Sequence, residues 1–453
     1  MQDLTTGPIT RHLLKTTSFM LVTMVFQTLY FLIDLYWVGR LGTEAVAAVG
    51  VAGNLSFLVL ALSQMLGVGT TTVVSHAAGR KDHAQASLLF NQSQVLAMVT
   101  GVAFLVVGLA LRSRYSAAMG ADAVTARLAD EYLLWFIPAM ALQFALVAMG
   151  AALRATGNFK PGMVVPTATV IINMVLAPFL IFGWGTGYAF GVAGAAVSSL
   201  VAIAVGVVWL TTYFITKDAY LHFDFSLWSP RFDLWRRMLV IGLPAGFEFG
   251  MMAVYLAVVY AIARPFGAAA QAGFGIGQRI VQAGFMPVVA LGFAVAPVAG
   301  QNFGAGLADR VKATFKDASL MAAGVMAVFA IASHIAPRAL VGIFTNDPAV
   351  IVVGEEYLRI VSWNYVASGL VFVASSMFQA MGNTLPSLIS SGVRVALIVF
   401  PALVLSRLPG FQLRTIWYLA VGAVLVQLAL SILLLSREFR RRLNFLAPHA
   451  KAA

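Results

Sequence analysis

Residues 13–37 read Leu13-Leu14-Lys15-Thr16-Thr17-Ser18-Phe19-Met20-Leu21-Val22-Thr23-Met24-Val25-Phe26-Gln27-Thr28-Leu29-Tyr30-Phe31-Leu32-Ile33-Asp34-Leu35-Tyr36-Trp37. After Lys15 a single formal charge, Asp34, interrupts an apolar run long enough to cross a bilayer, for which about 20 residues suffice. Comparable tracts fill the chain, at 45–72, 93–111, 131–153, 163–183, 191–214, 238–262, 273–300, 317–336, 357–380, 387–405 and 415–436. They are continuous rather than alternating, which predicts helices and excludes the strands of an outer-membrane barrel. The composition agrees: 60% of the 453 residues are hydrophobic and 10% are charged, too little polar surface for a water-soluble exterior. The first tract outruns a signal-peptide core, and we expect it to be retained.

Twelve spans put both ends of the chain on one side. Of the 29 Lys and Arg, the far side holds Arg40, Arg112, Arg114, Arg127, Arg264, Arg279, Arg338, Arg359, Arg407 and Arg414; Arg394 lies in a span, and the remainder accompany the termini. The positive-inside rule then predicts cytoplasmic termini in a multi-pass protein of the cell inner membrane. The net charge of +12 needs no nucleic-acid partner, since anionic lipid facing these loops explains it, with Arg440–Arg442 as a headgroup contact. With no cysteine, disulfides and thiolate metal sites are excluded.

The chain also repeats itself. Leu41-Gly42-Thr43-Glu44-Ala45 is answered 225 residues on by Phe266-Gly267-Ala268-Ala269-Ala270, and Ala155-Thr156-Gly157-Asn158 by Ala380-Met381-Gly382-Asn383. Ala78-Gly79-Arg80-Lys81-Asp82 matches Ala305-Gly306-Leu307-Ala308-Asp309 at an offset of 227. Two halves of six spans each share one topology, which predicts lobes related by a pseudo-twofold along the membrane normal, with a site where they meet. The expected fold is therefore an all-α membrane protein of 12 transmembrane helices in two six-helix lobes. Its expected divisions are an N-lobe (1–215), a linker (216–236) that holds Lys217, Asp218, Asp224, Asp233, Arg236 and Arg237, a C-lobe (237–436) and a basic tail (437–453).

Two carboxylates fall inside spans, where a charge costs about 2.5–3.5 kcal/mol even on insertion scales. Asp34 shares one helix face with Thr23, Gln27 and Tyr30 at i, i+4, i+7, i+11 spacing. This polar stripe makes Asp34 a candidate for holding a coupling ion; the plainer alternative is a structural carboxylate bonded to a neighbouring helix. Asn173 and Ser199 in the fifth and sixth spans could serve it, although such residues also join helices. One carboxylate with carbonyl and hydroxyl oxygens suits a hard monovalent cation, and a lone one suits a proton. Glu248 follows Pro244 in the seventh span and could bind a cationic substrate, or could pair with Arg394 of the eleventh. Prolines 166, 178, 244, 287, 297 and 401 lie within spans, several of them near these polar positions, and are candidate hinges. The six histidines lack ligand spacing and no Gly-x-x-x-x-Gly-Lys loop is present, so ATP hydrolysis by this chain is excluded.

These landmarks resemble the multidrug and toxic compound extrusion (MATE) family, and within it the prokaryotic DinF-type branch. The resemblance rests on Gln27 through Gly42, Arg154-Ala155-Thr156-Gly157-Asn158, Asn173 with Pro178-Phe179-Leu180-Ile181-Phe182-Gly183, and Gly300-Gln301-Asn302-Phe303-Gly304-Ala305-Gly306. It implies a transporter, not an enzyme, that expels amphipathic and often cationic compounds in exchange for H⁺ or Na⁺ by alternating access. It implies a cation-coupling set of Asp34, Asn173 and Ser199, with Na⁺ at Asp34 and Asn173 as one alternative; from the residues themselves we expect Gln27, Tyr30, Glu248 and Arg394 to line the substrate cavity. The family's Asn-x-x-x-Asp-Pro is here Asn173-Met174-Val175-Leu176-Ala177-Pro178, so Ala177 replaces a second carboxylate. Glu248 lies about one turn before the seventh-span acid of the NorM-type branch. We expect a small-molecule substrate, contact with membrane lipid, no nucleic acid, no cofactor beyond the coupling ion, and a monomer. The rival within the same superfold is a flippase of lipids or lipid-linked precursors, which would favour a strongly cationic cavity.

Overall fold

A computed structural model describes residues 2–185, 187–217 and 220–445, with Phe31 described for its backbone alone; Asp218 of the expected linker and the tail beyond 445 lie outside the described residues. Among these residues, twelve helices are long and apolar enough to cross a membrane. In chain order the helices are α1 (Ile9–Gly39), α2 (Thr43–Gly79), α3 (His83–Met119), α4 (Ala123–Ala155), α5 (Phe159–Phe182), α6 (Gly191–Thr216), α7 (Phe232–Ala263), α8 (Ala268–Gly304), α9 (Ala308–Ile335), α10 (Pro337–Gly342), α11 (Pro348–Val361), α12 (Tyr365–Ala380), α13 (Leu385–Leu405) and α14 (Arg414–Arg442). Several outrun their apolar tracts, α3 by about ten residues at its start, because a helix continues through polar turns until its backbone bonds are interrupted. The expected tenth span, 357–380, is one crossing made of two helices: a 3₁₀ turn at Ser362–Asn364 separates α11 from α12. Its counterpart α4 carries Pro138 at the matching place and stays unbroken.

The turns show how the duplication is built. Gly157, Gly306 and Gly382 have φ of 73–74°, and Lys81 has φ 60°. At each, the left-handed residue bonds three residues back and the next bonds five back, as in Lys81 N–H to Ala78 O (3.0 Å) with Asp82 N–H to Ala77 O (3.1 Å). This is the Schellman helix ending, and it needs one residue with positive φ. Gly306 therefore matches Lys81, not Gly79, and the offset of 227 becomes 225 like the others. Lys81 adopts a conformation that costs an L-residue roughly 1–2 kcal/mol, and its ion pair to Asp3, at 3.8 Å and well exposed, offsets little. We expect Lys81→Gly to raise stability by about 0.5–1 kcal/mol once glycine's greater unfolded freedom is deducted; an unchanged denaturant midpoint in detergent would contradict this.

The chain forms two compact units, and they do not divide in the loop between the sixth and seventh spans. One comprises Met1–Asp3 and Phe19–Gly246; the other comprises Leu4–Ser18 and Phe247–Ala453. Of the three boundaries, one follows Asp3 and the other two lie inside helices, α1 and α7. In the first unit α4 packs against α2, α3 and α6, and buries Tyr132, Leu133, Ile137 and Phe144. The first half of α7 belongs here because glycines let it approach α2: a Cβ on Gly242 would run into the Met65 carbonyl, one on Gly246 would lie 2.8 Å from the Ala61 oxygen, and one on Gly69 2.6 Å from the Met238 oxygen. The loop before α7 is pinned to α3 by buried amides. Asn91 Nδ2 donates to His222 O (3.0 Å) and its Oδ1 accepts from Asp224 N and Trp228 Nε1 (both 3.0 Å). Gln92 Nε2 donates to Leu227 O and Ser229 O, and its Oε1 accepts from Arg231 N and Trp235 Nε1.

In the second unit α8 packs against α9, α11 and α12, and α13 against α14. Phe274, Tyr357 and Trp417 meet at ring separations of 4.8–5.4 Å. The chain start joins this unit through Leu4, whose N–H donates to Gln301 Oε1 (3.0 Å) and whose carbonyl accepts from Asn302 Nδ2 (3.1 Å).

Candidate functional site

Three of the residues singled out in the sequence, Tyr30, Asn173 and Ser199, meet in the first unit, and a fourth, Asp34, lies within electrostatic reach of Tyr30. Tyr30 and Asp34 stand one turn apart on α1, and Asn173 on α5 and Ser199 on α6 are both buried. Asn173 Nδ2 donates to Ser199 Oγ (3.0 Å) and to Ser198 Oγ (3.2 Å). Ser199 Oγ gives its proton to Ala195 O (3.2 Å), so the 3.0 Å contact with Tyr30 places the phenol as donor. Ser199 is thus saturated, and a hydrogen-bonded chain runs from α1 through α6 to α5. Two oxygens are left over: Asp34 Oδ1 and Asn173 Oδ1 are both buried without a hydrogen-bond partner. A buried carboxylate oxygen with no donor is costly unless a positive charge joins it.

Local sequence explains the approach. A Cβ on Gly194 of α6 would lie 2.6 Å from the Leu180 carbonyl carbon, so glycine lets α6 close on α5 where Asn173 reaches across. Ala177, one turn from Asn173, is fully buried and adds no oxygen. At the α1 end beyond Asp34, Trp37 meets Phe182 and Trp184 at 6.1 and 5.7 Å, and the Arg40 guanidinium lies 5.2 Å from the Tyr36 ring.

The other candidates lie apart from this cluster. Thr23 is buried but spends its hydroxyl on Phe19 O of its own helix (3.1 Å), and Gln27 is exposed. Glu248 belongs to the second unit, where it lies near Ser387, whose hydroxyl is 2.7 Å from that of Ser375. Arg394 is within electrostatic reach of Glu248 and Tyr255, but the ion pairs within 4.0 Å among the described residues do not include it.

Two members of the cluster were not singled out in the sequence. Ser198 neighbours Ser199, and the doublet was the available signal, since adjacent helix positions about 100° apart can both face one partner. Tyr132 of α4 is buried within electrostatic reach of Asp34 and Tyr30; nothing local marks it. The duplication supplies a comparison. At the 225-residue offset Tyr255 and Tyr357 stand for Tyr30 and Tyr132, while Val259, Ile398 and Val424, all buried, stand for Asp34, Asn173 and Ser199. The second unit keeps the tyrosines and replaces every proposed cation ligand with an aliphatic residue.

Known proteins share this sequence and architecture. The sequence family described as MatE matches residues 20–179 and 244–405. Multidrug export protein MepA of Staphylococcus aureus is 25% identical over 432 residues, covering 93% of each chain. Among solved structures, a MATE protein in the bent conformation superposes with a TM-score of 0.90 at 24% identity over 97% of each chain. A MOP superfamily transporter from Pyrococcus furiosus gives 0.88, also at 24% and 97% of each chain.

Proposed function

The chain belongs to the MatE family, and from that premise we propose that it exports amphipathic, often cationic compounds in exchange for an inward-moving cation, by alternating access. The name of the MepA relative supports multidrug export. The observation that carries the coupling step is the pair of unpartnered buried oxygens, Asp34 Oδ1 and Asn173 Oδ1, beside the Tyr30–Ser199–Asn173 chain.

In this mechanism the arriving cation neutralises Asp34 and so lowers the cost of keeping the carboxylate in the spanning part of α1. The Tyr30 bond to Ser199 ties that part of α1 to α6, and through Asn173 to α5, so occupancy at Asp34 biases how α1 packs on its unit. Release of the ion leaves Asp34 charged again and reverses the bias. Glu248, Arg394 and Gln27 are proposed contacts for the substrate. The Lys and Arg asymmetry supports cytoplasmic termini in the cell inner membrane.

A proton needs only one oxygen, whereas Na⁺ needs a shell of them, and Ala177 withholds one carboxylate. We therefore expect an imposed proton gradient alone to drive efflux of a fluorescent organic cation from proteoliposomes, and a Na⁺ gradient alone to drive it weakly. Ala177→Asp adds a carboxylate one turn from Asn173 and is expected to increase the Na⁺-driven rate. Transport insensitive to both gradients would overturn the antiport reading.

A further inference from the structure

At the end of α5 and α6 farthest from Trp37, a cleft of about 440 Å³ opens between the two helices. Its rim carries Lys160 and Lys217, and its floor is Val164, Val165 and Trp209. Asn158 Nδ2 donates to Tyr213 Oη (2.8 Å), which leaves the phenol proton free to be donated into the cleft. Among the described residues no carboxylate lines it and neither lysine forms an ion pair.

The duplication makes this arrangement informative. At the 225-residue offset Arg442 stands for Lys217 and Glu438 for Tyr213. In the second unit the arginine is held internally, by Glu438 at 2.8 Å and the Met381 carbonyl at 2.9 Å. In the first unit the carboxylate is a tyrosine, and among the described residues the lysine has no such partner. Away from the rim the cleft continues into an exposed apolar face, with Val201 and Val205 on α6 and Ile171 and Val175 on α5 between 39 and 59% accessible. Trp209, 44% accessible, stands where apolar face and polar rim meet, the level that tryptophan favours at a membrane surface. Two cations above a hydroxyl donor, with an apolar trough running into the membrane, match a headgroup phosphate with acyl chains attached.

We propose that the α5–α6 cleft is a binding site for an anionic phospholipid, with the headgroup phosphate between Lys160 and Lys217 and the acyl chains along the Val201–Val205 and Ile171–Val175 face. A basic residue near an anionic headgroup typically contributes about a fivefold gain in binding, so loss of both lysines is expected to weaken retention about thirtyfold. The test is native mass spectrometry of the full chain released from mixed phosphatidylglycerol and phosphatidylcholine vesicles. The wild-type protein should retain phosphatidylglycerol preferentially, K160Q/K217Q should lose that preference, and K160R/K217R should keep it. Equal retention of the two lipids, or an unchanged preference in K160Q/K217Q, would overturn the proposal. Complete displacement by millimolar inorganic phosphate would also overturn it, by showing a site for the free anion. All of these readouts are independent of transport, so failure of the antiport reading leaves this test unaffected.

Discussion

Asp34→Asn is expected to insert and fold like the wild-type protein and to lose cation-driven efflux by at least about a hundredfold. A carboxylate and a monovalent cation about 4 Å apart attract by about 4 kcal/mol at an effective dielectric of 20, so removing the charge weakens the ion's hold by on the order of 10²–10³. Asn is nearly isosteric and keeps a carbonyl oxygen at the position of Asp34 Oδ1, so packing against α5 and α6 should survive. The buried oxygen without a donor also indicates that the charge does not hold the fold together. Folding yield and thermal midpoint in detergent should therefore be equal to or above wild type, because a charge in a span is a net cost. Proteoliposome efflux under an imposed gradient is the decisive measurement. Wild-type rates would remove Asp34 from the coupling step. A variant that fails to insert would instead support the structural alternative.

Gly242→Leu should act on folding rather than coupling. The missing Cβ at Gly242 is what allows α7 to rest on the Met65 carbonyl, with Gly246 and Gly69 making the same kind of contact above and below. Membrane helices lack a strong hydrophobic drive to associate, and close backbone approach through small residues supplies much of the attraction. A leucine cannot be accommodated by rotamer change, because the obstacle is backbone. The cost is expected to reach about 3 kcal/mol or more, at the upper end of overpacking penalties. It should appear as aggregation or a large loss of the monodisperse peak in detergent. Gly250→Leu is the control: a Cβ there meets nothing within 4 Å, and that variant should remain monodisperse. Equal behaviour of the two would refute the packing argument.

Much of this was legible along the chain. The apolar tracts marked all twelve crossings, since lipid demands a long apolar run for each, and that demand is local. Tyr30 and Asp34 stood out for a similar reason, since polar residues are costly in such a run, but periodicity also grouped Thr23 and Gln27 with them, which lie apart from the cluster. Helix ends were less so. Lys81 disguised a turn that glycine fills in the other half, and a match on residue identity settled on Gly79 instead. The interruption at Ser362–Asn364 has no proline to mark it, while α4 carries Pro138 and stays unbroken.

The feature least visible in advance was the division of α1 and α7 between units. It depends on where Gly242, Gly246 and Leu4 find partners, and those partners are hundreds of residues away or on another helix. Tyr132 joined the Asp34 cluster for the same reason. The sequence by itself determined that this chain crosses the membrane twelve times, that it is a doubled six-helix unit, and that Asp34 is its most exceptional residue. Only the tertiary structure decided that Tyr30, Ser199 and Asn173 join in one hydrogen-bonded chain, and that Asp34 and Asn173 each keep an unpartnered oxygen. Span length and period are properties of a single helix in lipid, whereas an unpartnered oxygen is defined by every neighbour that does not reach it.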